Sequence, residues 1–106
     1  MTSEHEVLYI SGAITSDPHY YEKFADAQMV LEFLGYIVIN PCALPAGMTY
    51  EQYMKIDLCY VETAHTICML PDWTKSPGAL VEHDHAEALK KRIILYMGID
   101  TALPRW

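Results

Sequence analysis

The sequence predicts an α/β protein, a small doubly wound parallel sheet of four to five strands with helices on both faces. Two observations carry that prediction. Short apolar runs recur along the chain without the apolar–polar alternation of a half-exposed sheet. Between them lie longer stretches in which apolar residues return every three or four positions, the period of a helix packed on one side. Strands covered on both faces and joined by helices run parallel, because a crossover helix returns the chain to start the next strand in the same direction.

The elements follow in order. Val7-Leu8-Tyr9-Ile10 is an apolar run ended by Ser11-Gly12, which reads as a buried strand entering a tight turn. Asp17-Pro18 opens a helix, along which Phe24, Ala27, Leu31 and Leu34 recur after Tyr20 until Gly35 caps it. Tyr36-Ile37-Val38-Ile39 is the next buried strand, closed by Asn40-Pro41. After a loop from Cys42 to Met48, Thr49 with a Glu or Gln just inside signals a helix N-terminus. Tyr50, Tyr53, Met54, Asp57, Leu58 and Val61 mark the inner face of that helix. Thr66 to Leu70 forms a third strand stopped by Pro71, a helix runs from Pro77 to about Lys90, and Arg92 to Tyr96 is a fourth strand. No internal repeat, linker or low-complexity tract interrupts this order, so residues 1–106 are expected to form one domain.

In sheets wound in this flavodoxin- or Rossmann-like way, ligands bind beyond the carboxyl ends of the strands. Here those ends are Ser11-Gly12-Ala13, Asn40-Pro41 and Pro71-Asp72-Trp73, with the turn before Pro77 beside them.

Composition narrows the function. With 52% hydrophobic and 20% charged residues, the chain has the makings of a soluble protein with a single core. Eight Tyr, two Trp and six Met in so small a domain predict that some apolar surface meets another copy, and the tyrosines around Tyr50, Tyr53 and Tyr60 suggest where a homodimer or larger homo-oligomer would form. A net charge of −7 with seven scattered basic residues argues against a nucleic-acid polymer as partner. It leaves room for a small anion, which a helix N-terminus and a few hydroxyls can hold. Cys42, Cys59 and Cys68 form neither a CxxC pair nor a zinc pattern, and predict buried, reduced thiols in a cytosolic protein. The acidic start Met1 to Glu6 lacks a long apolar run, so neither a signal peptide nor a membrane span is expected.

The segment from Leu70 to Tyr96 holds the most chemistry. Ser76 is a good N-cap, Pro77 suits the first helical position, and the amides that follow carry partial positive charge, which makes an anion site or simply a helix start. Helical side chains lean toward the N-terminus, so Glu82 overlies Gly78 and Ala79, the two smallest residue types. A Gly there costs about 1 kcal/mol relative to Ala and leaves room for a ligand to reach the carboxylate; the alternative is a solvated Glu on a helix surface. His83 and His85 flank Asp84, but alternate helical residues point about 200° apart, so no metal site is expected.

"YISGAIT", the Asn40-Pro41 pair, "LPAGMTYEQYMKIDL" and "LPDWTKSPGALVEHDHAEAL" together resemble short phage and bacterial proteins of unknown function in the nucleoside 2-deoxyribosyltransferase superfamily. The similarity spans nearly the whole chain and extends, more distantly, to 2'-deoxynucleoside 5'-phosphate N-hydrolases. The resemblance implies that Glu82 attacks the anomeric carbon and forms a covalent glycosyl intermediate, that Tyr9 orients it, and that Asp57 is the second acidic group. It implies a 5'-phosphate contact for Ser76, where the transferases typically carry Asp. Ala13 and Thr15 stand where the hydrolases have a Ser and an Arg for the phosphate, and His65 replaces an Asp that commonly precedes the third strand. No cofactor is implied.

Cleaving an N-glycosidic bond passes through an oxocarbenium-like state, which needs one carboxylate to trap it and one acid to protonate the leaving base. Glu82 is the expected nucleophile and Asp57 the expected acid, with His65 at a strand start as the alternative acid. Trp73 offers an indole to stack on a base or to pack against the neighbouring helix, and Asn40 offers an amide at the same mouth. The expected substrate contacts are therefore Ser11, Gly12, Asn40, Trp73, Ser76 and Gly78. The expected activity is hydrolysis of the N-glycosidic bond of a (deoxy)nucleoside 5'-monophosphate. The alternatives are a nucleoside 2-deoxyribosyltransferase, a non-catalytic protein that sequesters a nucleotide, and an interaction protein with a vestigial pocket. The tail Leu103 to Trp106 is a candidate for reaching a neighbouring subunit.

Overall fold

Tyr9 and its neighbours explain the layering. In a strand, successive side chains point to opposite faces. Leu8 and Ile10 therefore face one side of the sheet and Tyr9 the other, and all three are fully buried. The computed structural model describes residues 6–98. Its strands are β1 (Val7–Ser11), β2 (Ile37–Ile39), β3 (Thr66–Met69) and β4 (Arg92–Leu95), all parallel and in the order β2-β1-β3-β4. The helices are α1 (Tyr20–Phe33), α2 (Tyr50–Thr63) and α3 (Pro77–Ala88). Leu8, Ile10, Cys68 and Leu70 pack against Phe24, Ala27 and Leu31 of α1. Tyr9, Ile67 and Met69 pack on the other face against Val61 at the end of α2 and Ala79 and Ala86 of α3. This is the expected α/β sheet with helices on both faces, with four strands among the described residues.

Differences from the sequence reading have local causes. The expectation of buried strands holds for the central pair β1 and β3, whereas the edge strands are partly exposed, with Ile37 at 49%. Among the described residues, three helices cover the middle of a four-stranded sheet and leave its borders less covered. α1 begins at Tyr20 rather than at Asp17-Pro18, because Asp17 closes a turn of its own: its carboxylate accepts from the His19 amide at 2.8 Å. α3 stops at Ala88, and Lys90 turns the chain out with φ 59°, a left-handed conformation that costs a non-glycine residue roughly 1–2 kcal/mol. At the start of α2 the capping box is complete: Thr49 Oγ1 accepts from the Gln52 amide at 3.1 Å, and Gln52 Oε1 accepts from the Thr49 amide at 2.9 Å.

All three cysteines are free, but only Cys68 is buried; Cys59 is exposed, because it falls on the outer side of α2. Of the tyrosines proposed for contacts between copies, Tyr53 is committed inside the chain, its hydroxyl donating to the Pro45 carbonyl at 2.6 Å. Tyr60 packs on Tyr9 with ring centroids 5.9 Å apart. Only Tyr50 remains exposed, at 57%. No helix among the described residues is long and apolar enough to cross a membrane. The tail Leu103 to Trp106 lies outside the described residues.

Candidate active site

The carboxyl end of β1, the middle of α2 and the first two turns of α3 converge on one cleft of about 690 Å³, within the range of roughly 300–1,000 Å³ usual for small-molecule sites. Strand alternation sends Tyr9 and Ser11 to the same face of the sheet, toward α2 and α3. Glu82 leans back from α3 to meet them. The Tyr9 hydroxyl donates to Glu82 Oε2 at 3.1 Å, and Ser11 Oγ donates to Glu82 Oε1 at 2.6 Å. Glu82 is only 5% exposed, so it is not the solvated helix residue that its sequence context equally allowed.

Asp57 comes from α2, is 6% exposed, and lines the same cleft. Its Oδ1 is buried with no hydrogen-bond partner among the described residues. Such an atom normally finds a partner in the protein or in ordered water.

Burial pushes both carboxyls above the ordinary carboxylate range, and for Glu82 the neighbouring Asp57 charge pushes further while the Ser11 and Tyr9 hydrogen bonds pull back. Two carboxylates held this close in a shielded site do not both ionise readily, so the pair retains a proton into the neutral range. Tyr9 is raised well above its ordinary value by burial and then by the Glu82 and Asp57 charges, so its phenol keeps the proton it donates.

The other expected residues separate into two groups. Ser11, Gly12, Ser76 and Gly78 line the cleft. Ser76 caps α3 by accepting from the Ala79 amide at 3.1 Å, which leaves its own hydroxyl proton free to donate. Gly12 answers a packing demand as well: a Cβ there would lie 2.8 Å from Leu70 Cβ. Gly78 lets α3 approach α2, since its Cβ would lie 3.3 Å from Met54 Sδ and 3.9 Å from the Tyr50 hydroxyl oxygen.

Asn40 and Trp73, expected among the substrate contacts, lie outside the cleft lining. The Asn40 side chain is used locally, accepting from the Cys42 amide at 2.9 Å and donating to Gln28 Oε1 at 3.0 Å. Trp73 stacks on His83 with ring centroids 4.4 Å apart and packs against the α3 side of the sheet. His65 is no candidate for the acid either. Its Nδ1 accepts from the Val7 amide at 3.0 Å, at the amino end of the sheet and away from the cleft.

His85 turns to Glu62 at 3.0 Å instead of joining His83. His83, Asp84 and Glu87 do bring ligand-type atoms within 4.8 Å of one another, a grouping that considering only the two histidines overlooked. It is a mostly exposed cluster on α3 with His83 held under Trp73.

Sequence reasoning missed the aromatic walls. Tyr20 and Tyr21 at the start of α1, and Tyr50 and Tyr53 at the start of α2, all line the cleft. Their sequence signal was a pair of tyrosines at each helix start, directly after a loop that leaves the carboxyl end of a strand. It also missed that Ser11 serves Glu82 directly. Among the described residues, the lining holds two carboxylates and no Lys, Arg or His.

Solved structures with similar folds include the CMP N-glycosidase BcmB of Clostridium botulinum, at 24% identity and TM-score 0.65 over 85% of this chain and 70% of that one. The 2-deoxyribosyltransferase of Bacillus psychrosaccharolyticus is similar at 18% identity and TM-score 0.68 over 84% and 70%. That of Leishmania mexicana is similar at 18% and 0.61 over 86% and 63%. These likenesses establish the fold that the resemblance implied. No protein with a curated description matches the chain. The model of a domain of unknown function, DUF4406, matches residues 6–95, a span that runs from β1 to β4 and includes Tyr9, Asp57 and Glu82. The chain is thus a member of the DUF4406 family.

Proposed function

We propose that the protein is an enzyme that hydrolyses the N-glycosidic bond of a (deoxy)nucleoside 5'-monophosphate. One observation carries the reading: a buried Glu82 gripped by two hydroxyls shares a cleft of nucleotide size with a buried Asp57 whose Oδ1 lacks a partner among the described residues. The fold shared with an N-glycosidase and two deoxyribosyltransferases supports the same class of chemistry.

In the first step a Glu82 oxygen forms a bond to C1' of the sugar. The C1'–N bond breaks, its electron pair stays on the base nitrogen, and the proton held by the carboxyl pair passes from Asp57 to the base. Tyr9 and Ser11 hold Glu82 in position and favour its charged form before attack. In the second step water gives a proton to Asp57 and attacks C1', releasing the sugar phosphate and Glu82 as a carboxylate. Ser76 and the Gly78 amide, left free because Pro77 has no N–H and the Ala79 and Leu80 amides already donate to Ser76, would receive the 5'-phosphate. With no cation among the described lining residues, phosphate adds modest affinity rather than a clamp.

The test is incubation with a panel of nucleosides and their 5'-monophosphates, with free base measured by chromatography, for wild type and Glu82→Gln. Base release by wild type and its loss in Glu82→Gln is the expected result. Base exchange outrunning hydrolysis when a second base is added would make it a transferase instead. Stoichiometric binding with the ligand recovered intact would make it a sequestering protein.

We also propose a homo-oligomer, on the exposure of Tyr21 and Tyr50 at the cleft and of Met29 and Phe33 along α1. Sedimentation at micromolar concentration should give more than one copy; a monomer would refute it.

A further inference from the structure

We propose that Lys23 and Asp72, neither of which lines the cleft, are positioning residues: they grip the backbone of Ala13 at both of its polar groups and thereby hold Ser11 on Glu82. The Ala13 amide donates to Asp72 Oδ1 at 3.1 Å, and Lys23 Nζ donates to the Ala13 carbonyl at 2.9 Å. Lys23 is itself fixed by ion pairs to Asp72 and, at 2.7 Å, to Asp17. One lysine from α1 and one aspartate from the loop after β3 thus pin the middle of the segment that leaves β1.

The residues just before Ala13 are pinned to β3 and to Leu70 directly after it. The Ser11 carbonyl accepts from the Leu70 amide at 2.8 Å, and Gly12 sits so close to Leu70 that no Cβ fits. Ser11 Oγ, one residue before Gly12, makes the 2.6 Å contact to Glu82. A hydrogen bond of that length weakens steeply once the donor swings or shifts by a fraction of an ångström, so the position of the Ala13 peptide governs whether it forms. Ile14 and Thr15, just beyond the clamp, line the cleft, so the same grip sets its wall.

The charges fit the role. Asp17 and Asp72 hold Lys23, Asp26 lines the same neighbouring pocket, and Tyr9 and Asp57 are the titratable groups beside Glu82. Burial alone would lower the Lys23 pKa, but the hydrogen bonds to Asp17 and Asp72 outweigh it and raise the pKa, which keeps the cation charged over any assay range. Removing that cation leaves carboxylates facing one another across the loop, which drives it off its position.

The inference rests on the assignment of Glu82 as the nucleophile, and its test has an arm that needs no turnover. In full-length protein with side-chain ¹³C-labelled glutamate, the Glu82 carboxyl titration is followed by NMR in wild type, Lys23→Met, Lys23→Arg and Leu31→Ala. Lys23→Met should move the Glu82 titration up by about one pH unit, as loss of a hydrogen bond to a charged group does. Lys23→Arg should restore most of it. Leu31→Ala, which loosens α1 from the core, should leave it in place.

On substrate, Lys23→Met should lower kcat roughly tenfold below the Glu82 pKa, with KM within about twofold, because only the charged form of Glu82 attacks. An unmoved titration in Lys23→Met, or an equal shift in Leu31→Ala, overturns the proposal. Should Lys23→Met fail to fold, Asp72→Asn decides in its place: it keeps an acceptor for the Ala13 amide but removes the ion pair, and must shift the titration in the same direction. Absence of base release by wild type refutes the proposed hydrolysis, while the NMR arm still decides whether the clamp acts on Glu82.

Discussion

Ser11→Ala separates a carboxylate holder from a substrate contact. Ser11 is buried, and its hydroxyl makes the shorter of the two hydrogen bonds to Glu82, 2.6 Å against 3.1 Å from Tyr9. A hydrogen bond to a charged group contributes about 1.5–3 kcal/mol. With Tyr9 still donating, the lower end of that range applies. At 1.36 kcal/mol per unit, the Glu82 pKa rises by about one unit. The sign follows from the chemistry. In the proposed mechanism the attacking form is the carboxylate, so activity appears as pH rises through the pKa, and raising the pKa moves that limb to more alkaline pH.

The assay is base release against pH on one nucleotide. On the acid side Ser11→Ala should be slower by about tenfold, the difference should shrink as pH rises through the displaced Glu82 limb, and both profiles should fall together once the pair loses the proton that Asp57 gives to the base. A residue that only contacts substrate would change KM with no displaced limb. A uniform loss at every pH, or an unmoved limb, would refute the reasoning.

Three further outcomes are expected. Glu82→Gln should abolish turnover yet raise the melting temperature at neutral pH: burial raises the folded Glu82 pKa, so its contribution to stability is full below the ordinary carboxylate range and is lost as pH rises through the raised value. The wild-type and variant melting curves, followed by circular dichroism, should therefore converge in acid. Ser76→Ala should lower kcat/KM on a 5'-monophosphate by roughly tenfold and leave the free nucleoside nearly unaffected, with about 1 kcal/mol of stability lost from the α3 cap. Gly12→Ala should destabilise by about 1–3 kcal/mol in chemical denaturation, because its Cβ would lie 2.8 Å from Leu70 Cβ and the loop must shift to accept it.

The parts legible in the sequence are those that depend on local pattern. The apolar runs around Tyr9 and Ile67 announced strands buried on both faces, Thr49 with Gln52 announced the start of α2, and Ser76-Pro77 announced α3. Glu82 was singled out because small residues at three and four positions before it leave its side chain room, an argument within one helix. What stayed hidden depends on which loop meets which helix. Nothing near Trp73 in sequence says that its indole rests on His83, ten residues on and in the next helix. Asn40 reads equally well as a ligand amide and as the local cap that it is. The contact from Ser11 to Glu82 spans 71 residues, and the two tyrosine pairs lining the cleft come from different helices on opposite sides of the sheet.

The Asp57–Glu82 pair also bears on how this chain can change over time. Two buried carboxyls, one with an atom that lacks a partner among the described residues, weaken the fold that carries them, since an unpartnered buried polar group costs roughly 1–3 kcal/mol. In a protein near the edge of stability, drift favours any replacement that relieves such a cost unless a task opposes it. A relic of this fold, freed from that task, would fill the space with Leu or Met and melt at a higher temperature. Replacement of such a pair by apolar residues in a related sequence would therefore be the expected trace of a lost task.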